Sequence, residues 1–259
     1  MEWAYSFSGL VVGFLVGLTG MGAAALMTPL LVLFFGIAPA TAVGTDLLYS
    51  SITKAGGAWV HGRRGQVNLH IVGWLAGGSV PAAFATAWVL NTFHAKGASF
   101  SSVVNPVLGI ALILTASALL FRETLRRTAR HRTKSDRIEL PAYLIPLTIA
   151  TGAALGVLVT LSSVGAGTLG IAVLFSLYPR LPTAKIVGTD IAHAVPLTGI
   201  AGLGYLFMGN IDFALLGYLL LGSLPGIYLG SHLSGRFPEQ MLRPVIACLL
   251  AGMGGRLIW

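Results

Sequence analysis

Stretches free of Asp, Glu, Lys and Arg run over 3–45, 65–95, 97–121, 140–179, 191–211 and 213–235. A helix needs about 20 apolar residues to cross the hydrocarbon of a bilayer. Most of these stretches hold one such helix, while 3–45 and 140–179 are too long for one straight helix. None alternates polar and apolar residues as a transmembrane barrel does, and lipid offers the backbone no partner outside a helix or a closed barrel. The pattern predicts spans near 6–33, 41–60, 68–90, 103–121, 142–176, 184–207, 212–233 and 241–258. The fold class is an all-α polytopic membrane protein with about eight transmembrane helices. The first span has no basic segment ahead of it and no cleavage site after it, so it reads as a retained helix rather than a signal peptide.

Composition agrees: 55% of the chain is hydrophobic and 9% is charged, against about 25% charged in soluble domains. That excludes an ordinary soluble enzyme and a disordered chain. Cys248 is the sole cysteine, which rules out an internal disulfide and a thiolate metal cluster and leaves a packing role. The tract Arg122–Arg137 holds seven Lys/Arg and two acids. Cytoplasmic loops collect Lys and Arg, which places 122–140 inside together with Arg63 and Arg64. With four spans on either side, both termini then face the cytoplasm. Lys96, Arg180, Lys185, Arg236 and Arg243 fall on outer loops in this threading, so the bias is clear mainly in the first half. No aromatic interleaving accompanies the basic tract, which argues against a nucleic-acid partner.

The tract also divides two similar halves. Residues 43–82 laid over 187–226 give ten identities in forty without a gap, among them Val43-Gly44-Thr45-Asp46 on Val187-Gly188-Thr189-Asp190 and Gly78-Ser79-x-Pro81 on Gly222-Ser223-x-Pro225. Upstream, Thr19-Gly20-Met21-Gly22-Ala23 lies near Ser162-Ser163-Val164-Gly165-Ala166 with a one-residue slip. The organisation is a first repeat over 1–121, a basic cytoplasmic linker over 122–140 and a second repeat over 141–259. Each repeat carries four helices, of which the first is interrupted by glycine. Four spans per repeat make the halves parallel; an inverted pair needs an odd number. Paired Gly-interrupted segments at corresponding places in two halves point to a transporter site.

The chemistry-bearing positions gather in these segments. Gly165-x-Gly167-x-x-Gly170 matches a dinucleotide fingerprint by letter but lacks the preceding strand and the ribose-binding acid; inside a charge-free run it is a helix break. An unwound Gly/Ser stretch exposes backbone N–H groups, and the half-helix after it turns its positive end to the break. Thr19, Gly20, Gly22, Ser162, Ser163, Gly165 and Gly167, with Thr45 and Thr189 of the repeated block, are therefore the candidate contacts for an anionic solute. Ordinary glycine packing is the competing explanation, and it holds too for the four-residue glycine spacings at 9, 13, 17 and at 222, 226, 230. Asp46 and Asp190 are ionisable groups inside spans, readable as proton-coupling sites or as structural acids that satisfy a broken helix. Lys54 and His193 are candidate charge partners. The other histidines, at 61, 70, 94, 131 and 232, form no ligand cluster, so no metal or cofactor is expected.

The Gly-rich first segment, the duplicated V-G-T-D block, the Arg63-Arg64-Gly65-Gln66-Val67 and Gly209-Asn210-Ile211-Asp212 turns and Gly222-Ser223-Leu224-Pro225-Gly226 together resemble the sulfite exporter TauE/SafE family. The resemblance covers nearly the whole chain except the 91–101 and 122–140 loops. It implies a multi-pass permease of the bacterial inner (plasma) membrane for sulfite, thiosulfate or organosulfonate anions, with its site between the repeats and no catalytic residues. The expected partners are a small anionic solute and the bilayer, and a homo-oligomer is compatible with the chain. Three alternatives stand beside this reading. They are a permease for another small solute, an intramembrane hydrolase using Ser162 or Ser163 with His193, and a membrane subunit without transport of its own.

Overall fold

The computed structural model describes residues 2–19, 23–95, 100–131, 143–233 and 239–258. Among the described residues the regular structure is entirely helical. The helices are α1 (Glu2–Thr19), a 3-10 turn (Ala23–Leu26) running into α2 (Met27–Leu33), α3 (Pro39–Arg63), α4 (Leu69–Ala95), α5 (Phe100–His131), α6 (Leu144–Ser162), α7 (Thr168–Leu177), α8 (Thr183–Phe207), α9 (Phe213–Leu233) and α10 (Glu239–Ile258). Five of them contain stretches long and apolar enough to cross a membrane: 69–92, 104–121, 144–162, 183–207 and 213–233. Large apolar side chains such as Phe7, Phe84, Trp88, Phe121, Phe207 and Leu221 face outward, a surface that lipid solvates and water does not.

The second long charge-free stretch breaks where its glycines lie, between α6 and α7, and neither long stretch continues as one straight helix. Each folds back on itself. Tyr178, just past α7, hydrogen-bonds through its hydroxyl to Thr148 Oγ1 near the start of α6, at 2.5 Å. The image of that closure in the first half is a ring contact between Tyr5 of α1 and Phe35 just past α2, with centroids 4.9 Å apart. Segments 6–33 and 142–176 thus fold as helical hairpins, and each half has five helical elements among the described residues.

The pairing of helices then sets the relation of the halves. Gly9, Gly13 and Gly17 of α1 lie on Leu219, Ser223 and Ile227 of α9 in ascending order, and Gly152 and Gly156 of α6 lie on Leu75 and Ser79 of α4. Each half's first helix therefore packs parallel against the other half's α4 or α9. The approach is close: a Cβ on Gly13 would stand 2.5 Å from the Ser223 carbonyl oxygen, and one on Gly156 2.5 Å from that of Ser79. The central pair, by contrast, is antiparallel. Gly202 of α8 meets Leu48 of α3, Gly57 of α3 meets Ile191 of α8, and between them Ser51 Oγ donates to the Val195 carbonyl at 3.1 Å. Ser51 and Val195 are repeat mates, so a pseudo-twofold axis passes here. The outer helices α5 and α10 are antiparallel too, Gly109 meeting Ile258 and Gly254 meeting Ile113. The halves are inverted, not parallel, because the fold-back adds one pass to each.

Inversion also redistributes the charges. The α3–α4 turn with Arg63 and Arg64, the α7–α8 link with Arg180 and Lys185, the first turns of α10 with Arg243, and the far end of α5, where the basic tract begins, all stand at one end of the helices. The start of α1 and the end of α10 stand at the other. Arg180, Lys185 and Arg243 thus join the basic tract rather than opposing it. The start of α1 and the end of α10 thus stand at the helix ends opposite that tract's beginning.

The repeated block makes the joints between halves. Thr45 Oγ1 accepts the Asp212 N–H at 3.2 Å, and its mate Thr189 Oγ1 accepts the Asn68 N–H at 3.0 Å. Asp212 in turn caps α9 through Leu215 N, as Asn68 caps α4 through Ile71 N. Gly44 and Gly188 leave room for the Asn210 and Gln66 carbonyls at the same turns.

Candidate functional site

The break in the second half is built by backbone conformation. Ser163 is left-handed at φ 57°, and Gly165 and Gly167 follow at φ 108° and 131°, where a side chain is strained. Ser162 Oγ donates to the Leu158 carbonyl at 2.7 Å and accepts the Val164 N–H at 3.2 Å, which pins the turn. The chain reverses and α7 starts at Thr168 with its positive end at the break. The corresponding break of the first half, with Gly20 and Gly22, lies outside the described residues, as does the side chain of Thr19.

Against this break stands the α3–α8 crossing. Lys54 Nζ donates to the Ala166 carbonyl at 2.6 Å. Its charge acts chiefly on Asp190 of α8 and less on Asp46 of its own helix, which is eight residues, about 12 Å, along α3. The Asp190 carboxylate lies against Gly170 in the first turn of α7, where a Cβ would collide with Oδ1. Lys54 and Asp190 line a cavity of about 260 Å³ together with Gly17, Tyr49, Thr53, Gly57, His61 and Gly167. It extends from Lys54 and Asp190 toward His61, the end that carries the Arg63–Arg64 turn.

Asp46 is wholly buried and accepts from Thr28 Oγ1 of α2 at 2.5 Å. Ser163 of the second-half break also faces its carboxylate. The next polar pair along the crossing repeats with changed chemistry. Tyr49 of α3 reaches Ser223 of α9; its mate His193 of α8 has Nε2 2.8 Å from Ser79 Oγ of α4, and Ser79 is the mate of Ser223. His193 is thus held by Ser79, and the Ser162 hydroxyl is held within its own turn. The structure brings Lys54, Asp190, Gly167 and the break together at the cavity and places Asp46 and Ser163 beside each other behind it. Thr45 and Thr189 stand apart, at the turns between halves.

The image of the cavity in the other half is filled. The mates of Val16, Gly17, Thr53, Lys54, Gly57, His61, Ile191, Ile227 and Ser231 are Val159, Thr160, Leu197, Thr198, Ala201, Tyr205, Leu47, Ala83 and Ala87, all buried. Most of them form one hydrophobic cluster. Tyr205 closes it, its hydroxyl donating to the Thr160 carbonyl at 3.0 Å. Sequence reading set His61 aside with the other histidines and passed over Tyr205 and Thr28. The repeat offset pairs His61 with Tyr205, but nothing local marks either residue.

The chain matches the family described as Sulfite exporter TauE/SafE over residues 5–257. It is 41% identical over 251 residues to "Probable membrane transporter protein YjnA" of Bacillus subtilis (strain 168), covering 96% of this chain and 97% of that one. It is 29% identical over 210 residues to "Probable membrane transporter protein YdhB" of the same organism, covering 79% of each. No solved structure matches. Two inverted, interlocked halves meeting at broken helices, with a cavity at their crossing and a family match along the whole chain, make this protein a membrane transporter of the TauE/SafE sulfite exporter family.

Proposed function

We propose that the protein is a secondary transporter of small sulfur-containing anions, of the size and charge of sulfite, thiosulfate or a short organosulfonate, and that the solute binds in the cavity between the halves. The observation that carries this reading is the meeting of Lys54 with the break at Ser163–Gly167. A fixed ammonium and the start of a half-helix both favour an anion, and a cavity of about 260 Å³ holds a small one. Gly167 supplies backbone approach there. Asp190 neutralises Lys54 when the cavity is empty, so the solute competes for a cation that the protein already keeps in place. No step of this cycle calls for catalysis.

The cavity faces the end that bears the basic clusters. By the excess of Lys and Arg in cytoplasmic loops, that end is cytoplasmic in a bacterial plasma membrane, and the two termini face outward. The structure then corresponds to a cytoplasm-accessible state with the opposite entrance packed shut by Tyr205 and its neighbours. Exchange of the open and packed halves is the alternating access that inverted repeats permit.

Radiolabelled flux into proteoliposomes tests the solute: sulfite, thiosulfate and a short sulfonate should compete with one another, and a protein that moves none of them refutes the reading. Single cysteines on a Cys248→Ser background test the orientation. Ser135→Cys should label only from the cytoplasmic side and Ser101→Cys only from outside, with an N-terminal tag on the side of Ser101. A tag on the side of Ser135 contradicts the inverted halves.

A further inference from the structure

The turns after α3 and α8 share one backbone but not one side-chain arrangement. Gly65 and Gly209 stand at φ 64° and 72°. The Gln66 N–H donates to the His61 carbonyl at 3.0 Å, as the Asn210 N–H donates to that of Tyr205 at 3.0 Å. The Cβ atoms match as well: a Cβ on Gly188 would stand 3.1 Å from that of His61, and one on Gly44 2.8 Å from that of Tyr205. Beyond Cβ the two positions part. His61 Nδ1 donates back to its own turn, to Gln66 Oε1 at 2.8 Å. Tyr205 turns inward instead, its hydroxyl on the Thr160 carbonyl. Asn210, the mate of Gln66, is left with Nδ2 buried and without a hydrogen-bond partner among the described residues. The side-chain bond is thus made where the cavity is open and unmade where its image is filled.

We infer that the His61–Gln66 hydrogen bond is the latch of the Lys54 entrance. It holds the imidazole against the turn while the cavity is open and parts when that entrance closes, the ring then turning in toward the Gly17 backbone as Tyr205 turns to Thr160. The latch rests on the reading above, in which open and packed halves exchange, and names a bond that the exchange breaks. His61 and Gly17 both line the cavity, and they are the mates of Tyr205 and Thr160. Gln66 stands outside the lining. It acts on the balance of the two states through His61 and is a positioning residue. A bond made in one state alone favours that state by its own free energy, for one hydrogen bond about fivefold in population.

The experiment uses purified full-length protein in detergent, with no solute added, and follows the rate at which a maleimide labels Ala201→Cys on the Cys248→Ser background. Ala201 is buried in the filled image of the cavity, so its rate follows the population of the exchanged state. Gln66→Ala should raise that rate about fivefold. His61→Phe keeps a ring to fill the mouth but has no Nδ1, and should raise it as much; it also serves where Gln66→Ala does not accumulate. On the His61→Phe background Gln66→Ala should add nothing, as a pair coupled through one bond requires. If Gln66 only stabilised its turn, its loss would lower the thermal midpoint in both backgrounds and leave the rate alone. An unchanged rate in either single variant, or an equal rise from Gln66→Ala with and without His61, overturns the latch. Tyr205→Ala separates this failure from that of the exchange. If it too leaves Ala201→Cys unlabelled, the halves do not exchange and the latch falls with them. If it labels while Gln66→Ala does not, the exchange stands and the latch alone is lost.

Discussion

The cavity at Lys54 and the packed cluster at Tyr205 are the same place seen twice, once in each half. One is lined by Gly17, Gly57, His61 and Ser231, the other filled by Thr160, Ala201, Tyr205 and Ala87. The backbone framework is shared, down to the closures at Tyr5–Phe35 and Thr148–Tyr178. A handful of substitutions, small or charged residues on one side against methyls and a phenol on the other, leaves one entrance open and shuts its image. The asymmetry lies in side chains and not in topology, so single replacements should shift it.

The largest effect is expected at Lys54. Lys54→Met leaves Asp190 buried without its cation, a change worth about 3–5 kcal/mol, and flux should fall about a hundredfold or more while yield also drops. The companion Lys54→Met/Asp190→Asn should recover yield, read by size-exclusion chromatography, without recovering flux. Recovery of flux by the pair would remove Lys54 from the solute site.

Tyr205 comes next. Tyr205→Ala opens a void in the packed cluster at a cost of about 3–5 kcal/mol and should let the terminal-side entrance open. Ala201→Cys, carried on Cys248→Ser, should then label from the side of the termini, where the parent protein resists. Tyr205→Phe removes the hydroxyl that donates to the Thr160 carbonyl, about 1 kcal/mol, and should raise the same labelling rate about fivefold. Labelling unchanged in both variants would mean that this cluster does not gate.

The smallest effects separate joints from solute contacts. Thr45→Ala and Thr189→Ala each leave one backbone N–H of a turn without its acceptor, about 1–2 kcal/mol, and should lower the thermal midpoint by a few degrees and by similar amounts. The half-saturation concentration for solute should stay within about twofold in both, as a remote joint requires. A tenfold rise in either would return that threonine to the solute site.

What the linear chain determined on its own is whatever depends on neighbours in sequence. The charge-free stretches set helical membrane spans because lipid leaves the backbone no other partner. Ser162–Gly167 set a break because only such residues tolerate its backbone angles. The offset of 144 residues between the V-G-T-D blocks disclosed two halves. Whether a broken helix continues across the membrane or turns back is not a local property. It was decided by Tyr178 meeting Thr148 and Tyr5 meeting Phe35, pairs 30 residues apart in each case, and the inversion of the halves follows from it. Nor does an identical block tell Asp46 from Asp190. Their difference comes from Lys54, Thr28 and Ser163, which tertiary packing brings to them, since the cost and use of a buried charge depend on what stands beside it.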